Sequence, residues 1–217
     1  MRLMTFRAGV QGWTWAFVVL ASLGVAVFSL RYFVAPGQAP LLVGREGVAR
    51  ASLLVHAAGG IAALAAGPFQ FSARLRRWSV RWHRGLGFVY LAGVTVGGLA
   101  GLVSAQFTIG GLTARFAFSL LALVWLACTA LAWRAVCRRD LAAHREWMLR
   151  SFALTFAAVT LRLWLVLLQA GGAAFMEAYQ TVAWLCWVPN LIAAEVWIAA
   201  TRGASAGQPA LGPRPAA

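Results

Sequence analysis

The sequence predicts an all-α fold, a six-pass transmembrane helix bundle, and three observations predict it. Apolar residues make up 62% of the chain and charged residues only 11%, against about 25% charged in an ordinary soluble domain. Six stretches, residues 12–34, 51–71, 85–106, 113–137, 147–170 and 179–200, reach the roughly 18 to 20 apolar residues that cross a bilayer core. The arginines, finally, collect between these stretches and on one side of the predicted membrane.

Taken in order, the first stretch follows Arg2 and Arg7 and superficially resembles a signal peptide. It is too long for an ordinary apolar core of a leader, and Phe33-Val34-Ala35 is a poor small-residue cleavage site, so it reads as a retained helix. The second carries His56, Gly59, Gly60, Ala63, Gly67 and Gln70 on one face and meets Gly67-Pro68 near its end, where proline kinks or closes a helix. The third adds Tyr90, Gly93, Gly97, Gly101 and Ser104, small residues whose spacing lets helices approach closely. The fourth contains no histidine. The fifth presents His144, Met148, Ser151, Thr155, Ala158, Arg162, Leu165 and Gln169 in steps of three or four. The sixth holds Pro189-Asn190 and then Glu195. Residues 1–202 thus form one transmembrane domain, and 203–217, rich in Gly, Pro, Ala and Ser, a disordered tail.

All of the net charge of +14 comes from arginine, since the chain has no lysine. Fourteen arginines fall at the N-terminus, in the second and fourth loop regions and in the tail; three, Arg45, Arg50 and Arg115, fall on the other side. The positive-inside rule then places both termini in the cytoplasm of a bacterial inner membrane. Arg31 and Arg162 lie within spans. A pI near 11.8 would suggest nucleic acid in a soluble protein; between apolar spans it reads as topology, and no nucleic-acid partner is expected. Three scattered cysteines without a CxxC pair indicate neither a disulfide framework nor a metal site. No Walker, Rossmann, nucleophile-elbow or HExxH pattern occurs, so no catalytic residue is assigned and enzyme activity is left open.

The second loop packs arginines and tryptophans tightly. If it is helical, Leu75, Trp78 and Trp82 make one stripe and Arg74, Arg77, Arg81 and Arg84 another. Such a piece lies in the membrane interface, its tryptophans dipping and Arg74, Arg76, Arg77 and Arg81 meeting anionic headgroups.

Polar groups within the spans are costly, about 2.5 to 3.5 kcal/mol for a mid-span arginine even on insertion scales, and so mark function or internal pairing. His56, Gln70, Arg162, Asn190 and Glu195 form a candidate polar intramembrane site. Each has a plainer reading: Arg162 snorkels outward, Asn190 satisfies backbone groups freed by Pro189, and Glu195 pairs with an arginine. His83 and His144 both lead into helices running the same way, and two imidazoles facing across a bundle could bind one haem b axially. Both also sit beside arginines at the surface, where a histidine needs no cofactor.

His56-Ala57-Ala58-Gly59-Gly60, Gly67-Pro68-Phe69-Gln70-Phe71, His83-Arg84-Gly85-Leu86-Gly87-Phe88-Val89-Tyr90, and His144-Arg145-Glu146-Trp147-Met148-Leu149-Arg150-Ser151 continuing to Arg162 carry a family resemblance. The chain resembles, over roughly Leu53 to Trp197, a bacterial family of predicted multipass membrane proteins catalogued as a domain of unknown function. The resemblance implies a polytopic membrane protein with the histidines, Gln70 and Arg162 inside its motifs, and no established activity. More weakly, the core is similar to the cytochrome b561 type, which has four haem-ligating histidines where this chain has three histidines in all. At most one haem fits that likeness. Three function classes stand: membrane electron transfer through one haem b or a quinone, a small-solute transporter, and a non-catalytic membrane assembly partner.

Overall fold

The structure is a computed structural model describing residues 2–38 and 41–206; residues 207–217, the greater part of the predicted tail, lie outside it. It is helical apart from short connections, with no strand among the described residues. Six segments are long and apolar enough to cross a membrane: Gly12–Val34, Gly47–Phe71, Val80–Ala105, Gly111–Cys137, Leu141–Ala170 and Phe175–Arg202. The chain is therefore a multi-pass membrane protein with much of its apolar surface facing outward, as in Phe17, Leu20, Leu112, Phe116 and Val196.

The first span joins α1 (Arg2–Ser29) to the short α2 (Arg31–Val34). The second is α3 (Gly47–Ala66), tightened into a 3-10 turn over Gly67–Phe71 where Pro68 ends the α ladder. A short α4 (Ala73–Trp78) leads to the third span, α5 (Val80–Ala105), and the fourth is α6 (Gly111–Cys137). The fifth is broken into α7 (Leu141–Thr155) and α8 (Ala157–Ala170), and the sixth into α9 (Phe175–Leu185) and α10 (Val188–Ala206). Helix α10 thus continues four residues into the stretch expected to be disordered.

The loop before α5 differs from the expected continuous interfacial helix. Ser79 adopts an extended backbone, φ −155° and ψ 109°, closing α4 and capping α5 through its side chain, which accepts from Trp82 N at 3.3 Å. Ser72 does the same for α4, accepting from Leu75 N at 3.1 Å. Serine hydroxyls at N-caps satisfy amides that a helix start leaves free, and two caps seven residues apart divide the loop. The tryptophan and arginine stripes therefore do not share one helix axis. Trp78 and Trp82 are nonetheless 74% and 61% exposed, and Arg74, Arg76, Arg77 and Arg81 are exposed as well.

The tightest packing is α3 against α5, where glycines meet backbone to backbone. A Cβ at Gly59 would lie 2.5 Å from Gly93 O and 2.6 Å from Gly97 Cα, so no larger residue fits without separating the helices. The core proper lies between α5, α6, α7, α9 and the start of α10, around Tyr90, Val94, Trp125, Phe152, Val182, Cys186 and Trp187. At its centre is a buried polar cluster. The Tyr90 hydroxyl is 2.7 Å from Ser151 Oγ and 2.8 Å from Thr155 Oγ1; Thr129 Oγ1 lies 2.6 Å from Ser151, and Trp125 Nε1 donates to Thr155 at 2.9 Å. Every member has a partner, as a dry interior demands.

Candidate functional site

The arginine-rich end gathers two of the three histidines. Asp140 caps α7 by accepting from Ala143 N at 3.0 Å, after Arg139 turns the chain in the left-handed region at φ 61°. This sets His144 on the first turn of α7, where its Nδ1 lies 2.9 Å from Ala132 O. A carbonyl only accepts, so Nδ1 carries the proton and, in the neutral ring, Nε2 presents a free lone pair. His83 sits on the first turn of α5, its amide bonded to Ser79 O at 3.1 Å. Its ring is half-buried, and Nδ1 is buried with no hydrogen-bond partner. His144, Arg76 and Arg84 are all near enough for their charges to reach the His83 ring. Gln70 donates to His83 O at 3.4 Å and so ties the 3-10 turn to the start of α5.

Both histidines stand seven residues before a member of the polar cluster, His83 before Tyr90 and His144 before Ser151. Seven residues are two helical turns, about 10 Å. The backbones of α5 and α7 scarcely touch here, and the Tyr90 side chain bridges them. On the same stretches of α5 and α7, Leu86, Trp147 and Met148 pack against the core.

No hydrogen bond or ion pair joins any two of the five residues expected to line one polar site, among the described residues. His56 Nδ1 bonds Gly97 O at 2.8 Å, in a space that exists because residue 101 is glycine: a Cβ there would meet His56 Nδ1 at 2.8 Å. Gln70 belongs to the arginine-rich end. Asn190 donates to Ala153 O at 3.1 Å and Thr160 Oγ1 at 3.0 Å, serving the break in the neighbouring span rather than Pro189. Pro189 is the second residue of α10, where its missing N–H leaves no helical bond unmade. Glu195 is exposed and accepts from Arg150 Nε at 2.5 Å and Nη2 at 2.8 Å. Glu146 in turn pairs with Arg202 and lies 3.8 Å from Arg150.

The Arg162 guanidinium is bonded to two groups of the chain. Its Nη1 donates to Ala158 O at 2.6 Å, one turn back along its own helix, and Nη2 to Ser29 Oγ at 3.1 Å. Helical side chains lean towards the N-terminus of their helix, and Ser29 on the first span holds this one there. His56 lies within reach of its charge. Sequence reasoning missed two groups. One is Arg31, which shares the ring of Phe28 with Arg162; the signal was that both arginines fall within predicted spans. The other is the Tyr90 cluster, whose Ser151 and Thr155 share a predicted helical face but whose Trp125 and Thr129 lie on a fourth span that offered no candidate residue.

An all-helical, multi-pass membrane protein with buried polar clusters and paired charges at one end is the class these features define. Residues 53–198 match the family described as Predicted membrane protein (DUF2306), and the chain belongs to it. Comparison with curated proteins and with solved structures gives no match, so the likeness to cytochrome b561 bundles gains no support there.

Proposed function

We propose that this chain is a redox protein of the bacterial inner membrane that holds one haem b between His83 and His144 and exchanges electrons with a membrane quinone. The observation that carries the reading is the buried, unpartnered Nδ1 of His83, within charge reach of His144, whose own Nδ1 is fixed on Ala132 O. An imidazole oriented by a backbone carbonyl through one nitrogen offers the other as a metal ligand, the usual arrangement around ligating histidines. Arg76 and Arg84, close to His83, suit the two propionate carboxylates of a haem. The Tyr90–Ser151 bridge, two turns deeper, gives such a group a rigid floor. Bound there, haem would supply one-electron chemistry; the chain's own residues ligate it, balance its acid groups and limit its depth.

A transport pathway would need the polar residues on one route, and His56, Gln70, Arg162, Asn190 and Glu195 have separate partners. The exposed Arg74, Arg76, Arg77 and Arg81 meet anionic lipid headgroups in the proposed orientation, with both termini cytoplasmic.

The test is the absorption spectrum of protein purified after haem-supplemented expression, oxidised and dithionite-reduced. A Soret band lost in both His83→Ala and His144→Ala, with His56→Ala unaffected, is the expected result. Folded wild-type protein without a Soret band would overturn the haem reading.

A further inference from the structure

The opposite end of the bundle holds two cations, Arg31 and Arg162, with no carboxylate paired to them among the described residues. The guanidinium carbon of Arg31 lies 3.9 Å from the centroid of the Phe28 ring and that of Arg162 lies 5.8 Å from it. The two charges are near enough to interact. Phe28 offers each a quadrupole, which attracts a cation without cancelling its charge. Ser29 Oγ accepts from Arg162 and is itself committed to Val25 O at 2.7 Å. Arg31 Nε is buried with no hydrogen-bond partner.

The chain has five side-chain carboxylates. Glu146 and Glu195 are paired at the arginine-rich end, and Asp140 caps α7 there. Glu46 and Glu177 make no ion pair with Arg31 or Arg162 among the described residues. Two guanidiniums with spare donors, crowded at one aromatic ring in a membrane-spanning wall, therefore lack a counter-ion. Like charges so placed repel unless an anion joins them, and the planar fork of arginine matches the oxyanion of a phosphate.

We infer that Arg31 and Arg162 form a phosphate-binding site between the first and fifth spans, with Phe28 and Ser29 setting the positions of the two guanidiniums. Arg31 lies three residues before Val34, the end of its span, so the site opens near one face of the membrane. A phospholipid phosphate and a free phosphate ion carry the same oxyanion, and both can reach that level. Its filling requires no haem and is independent of the redox reading.

The experiment compares the chain in dodecyl maltoside, a detergent without phosphate, with and without added phosphatidylglycerol, and separately with sodium phosphate against sodium chloride at equal ionic strength. Tm is read by circular dichroism, and retained lipid by native mass spectrometry. A saturating ligand that binds only the folded state raises Tm by about 5 to 10 °C for a chain of this size. Both Arg31→Gln and Arg162→Gln should lose that rise, while Arg115→Gln and the loop double variant Arg74→Gln/Arg77→Gln keep it. If phosphatidylglycerol alone gives the rise, and one retained lipid disappears in the two site variants, the source is lipid. If phosphate alone gives it, the source is the free ion. No site-dependent rise with either probe, or an equal loss in Arg115→Gln, overturns the site. Should Arg162→Gln fail to fold, Arg31→Gln decides alone, with Arg31→Lys expected to restore part of the rise.

Discussion

Adjacent glycines on α3 give opposite responses to the same substitution. At Gly60 a Cβ would meet nothing within 4 Å, whereas at Gly59 it would sit 2.5 Å from Gly93 O. Carbon and carbonyl oxygen ordinarily meet at about 3.3 Å or more, so Gly59→Ala must separate α3 from α5 by about 0.8 Å. The obstacle is backbone, which cannot rotate away. Both substitutions gain the same helix propensity, about 0.5 to 1 kcal/mol of stability. Their difference therefore isolates the overpacking, which costs about 1 to 3 kcal/mol. Gly60→Ala should be neutral to stabilising and Gly59→Ala destabilising. The assay is reversible unfolding in mixed micelles of dodecyl sulfate and a mild detergent, followed by helical circular dichroism. Equal midpoints for the two variants, or a lower midpoint for Gly60→Ala, would refute the close contact of α3 and α5.

Tyr90→Phe removes two hydrogen bonds, but Ser151 keeps Thr129 and Thr155 keeps Trp125. At about 0.6 kcal/mol for each bond inside a membrane protein, the loss should be about 1 kcal/mol in the same unfolding assay; a loss several times larger would mean that the hydroxyl does more than bridge α5 and α7. Glu195→Gln breaks the two-pronged contact with Arg150, whose side chain is 13% exposed against 50% for Glu195. A half-exposed pair is screened, so we expect a loss of about 0.2 to 1 kcal/mol, shrinking as salt is raised; a salt-independent loss would contradict that account.

Hydropathy made the six spans legible because a bilayer enforces a long apolar run wherever the chain crosses it. It does not register where a helix stops within such a run. The fifth span begins at Leu141, within a polar stretch, because the Asp140 cap and the following turn carry His144, Arg145 and Glu146 as helix. The loop stripes failed at Ser79, where one capping hydroxyl outweighs a regular spacing of arginines and tryptophans. The candidate site was legible in its residue types but not in their grouping. Spacing within a helix identifies a face, but which faces meet depends on how the spans are arranged around one another. Hence Gln70 joined His83, Asn190 joined Thr160, and Arg162 found Ser29, more than a hundred residues away in sequence.

The breaks in the fifth and sixth spans have a mechanical consequence. Thr155 gives way to Ala157 across Phe156, and Leu185 to Val188 across Cys186 and Trp187. Asn190 links the two by bonding Ala153 O and Thr160, and Thr160 reaches Cys186 O at 2.5 Å. Neither span can flex at its break without disturbing a bond to the other, so the two breaks are mechanically coupled.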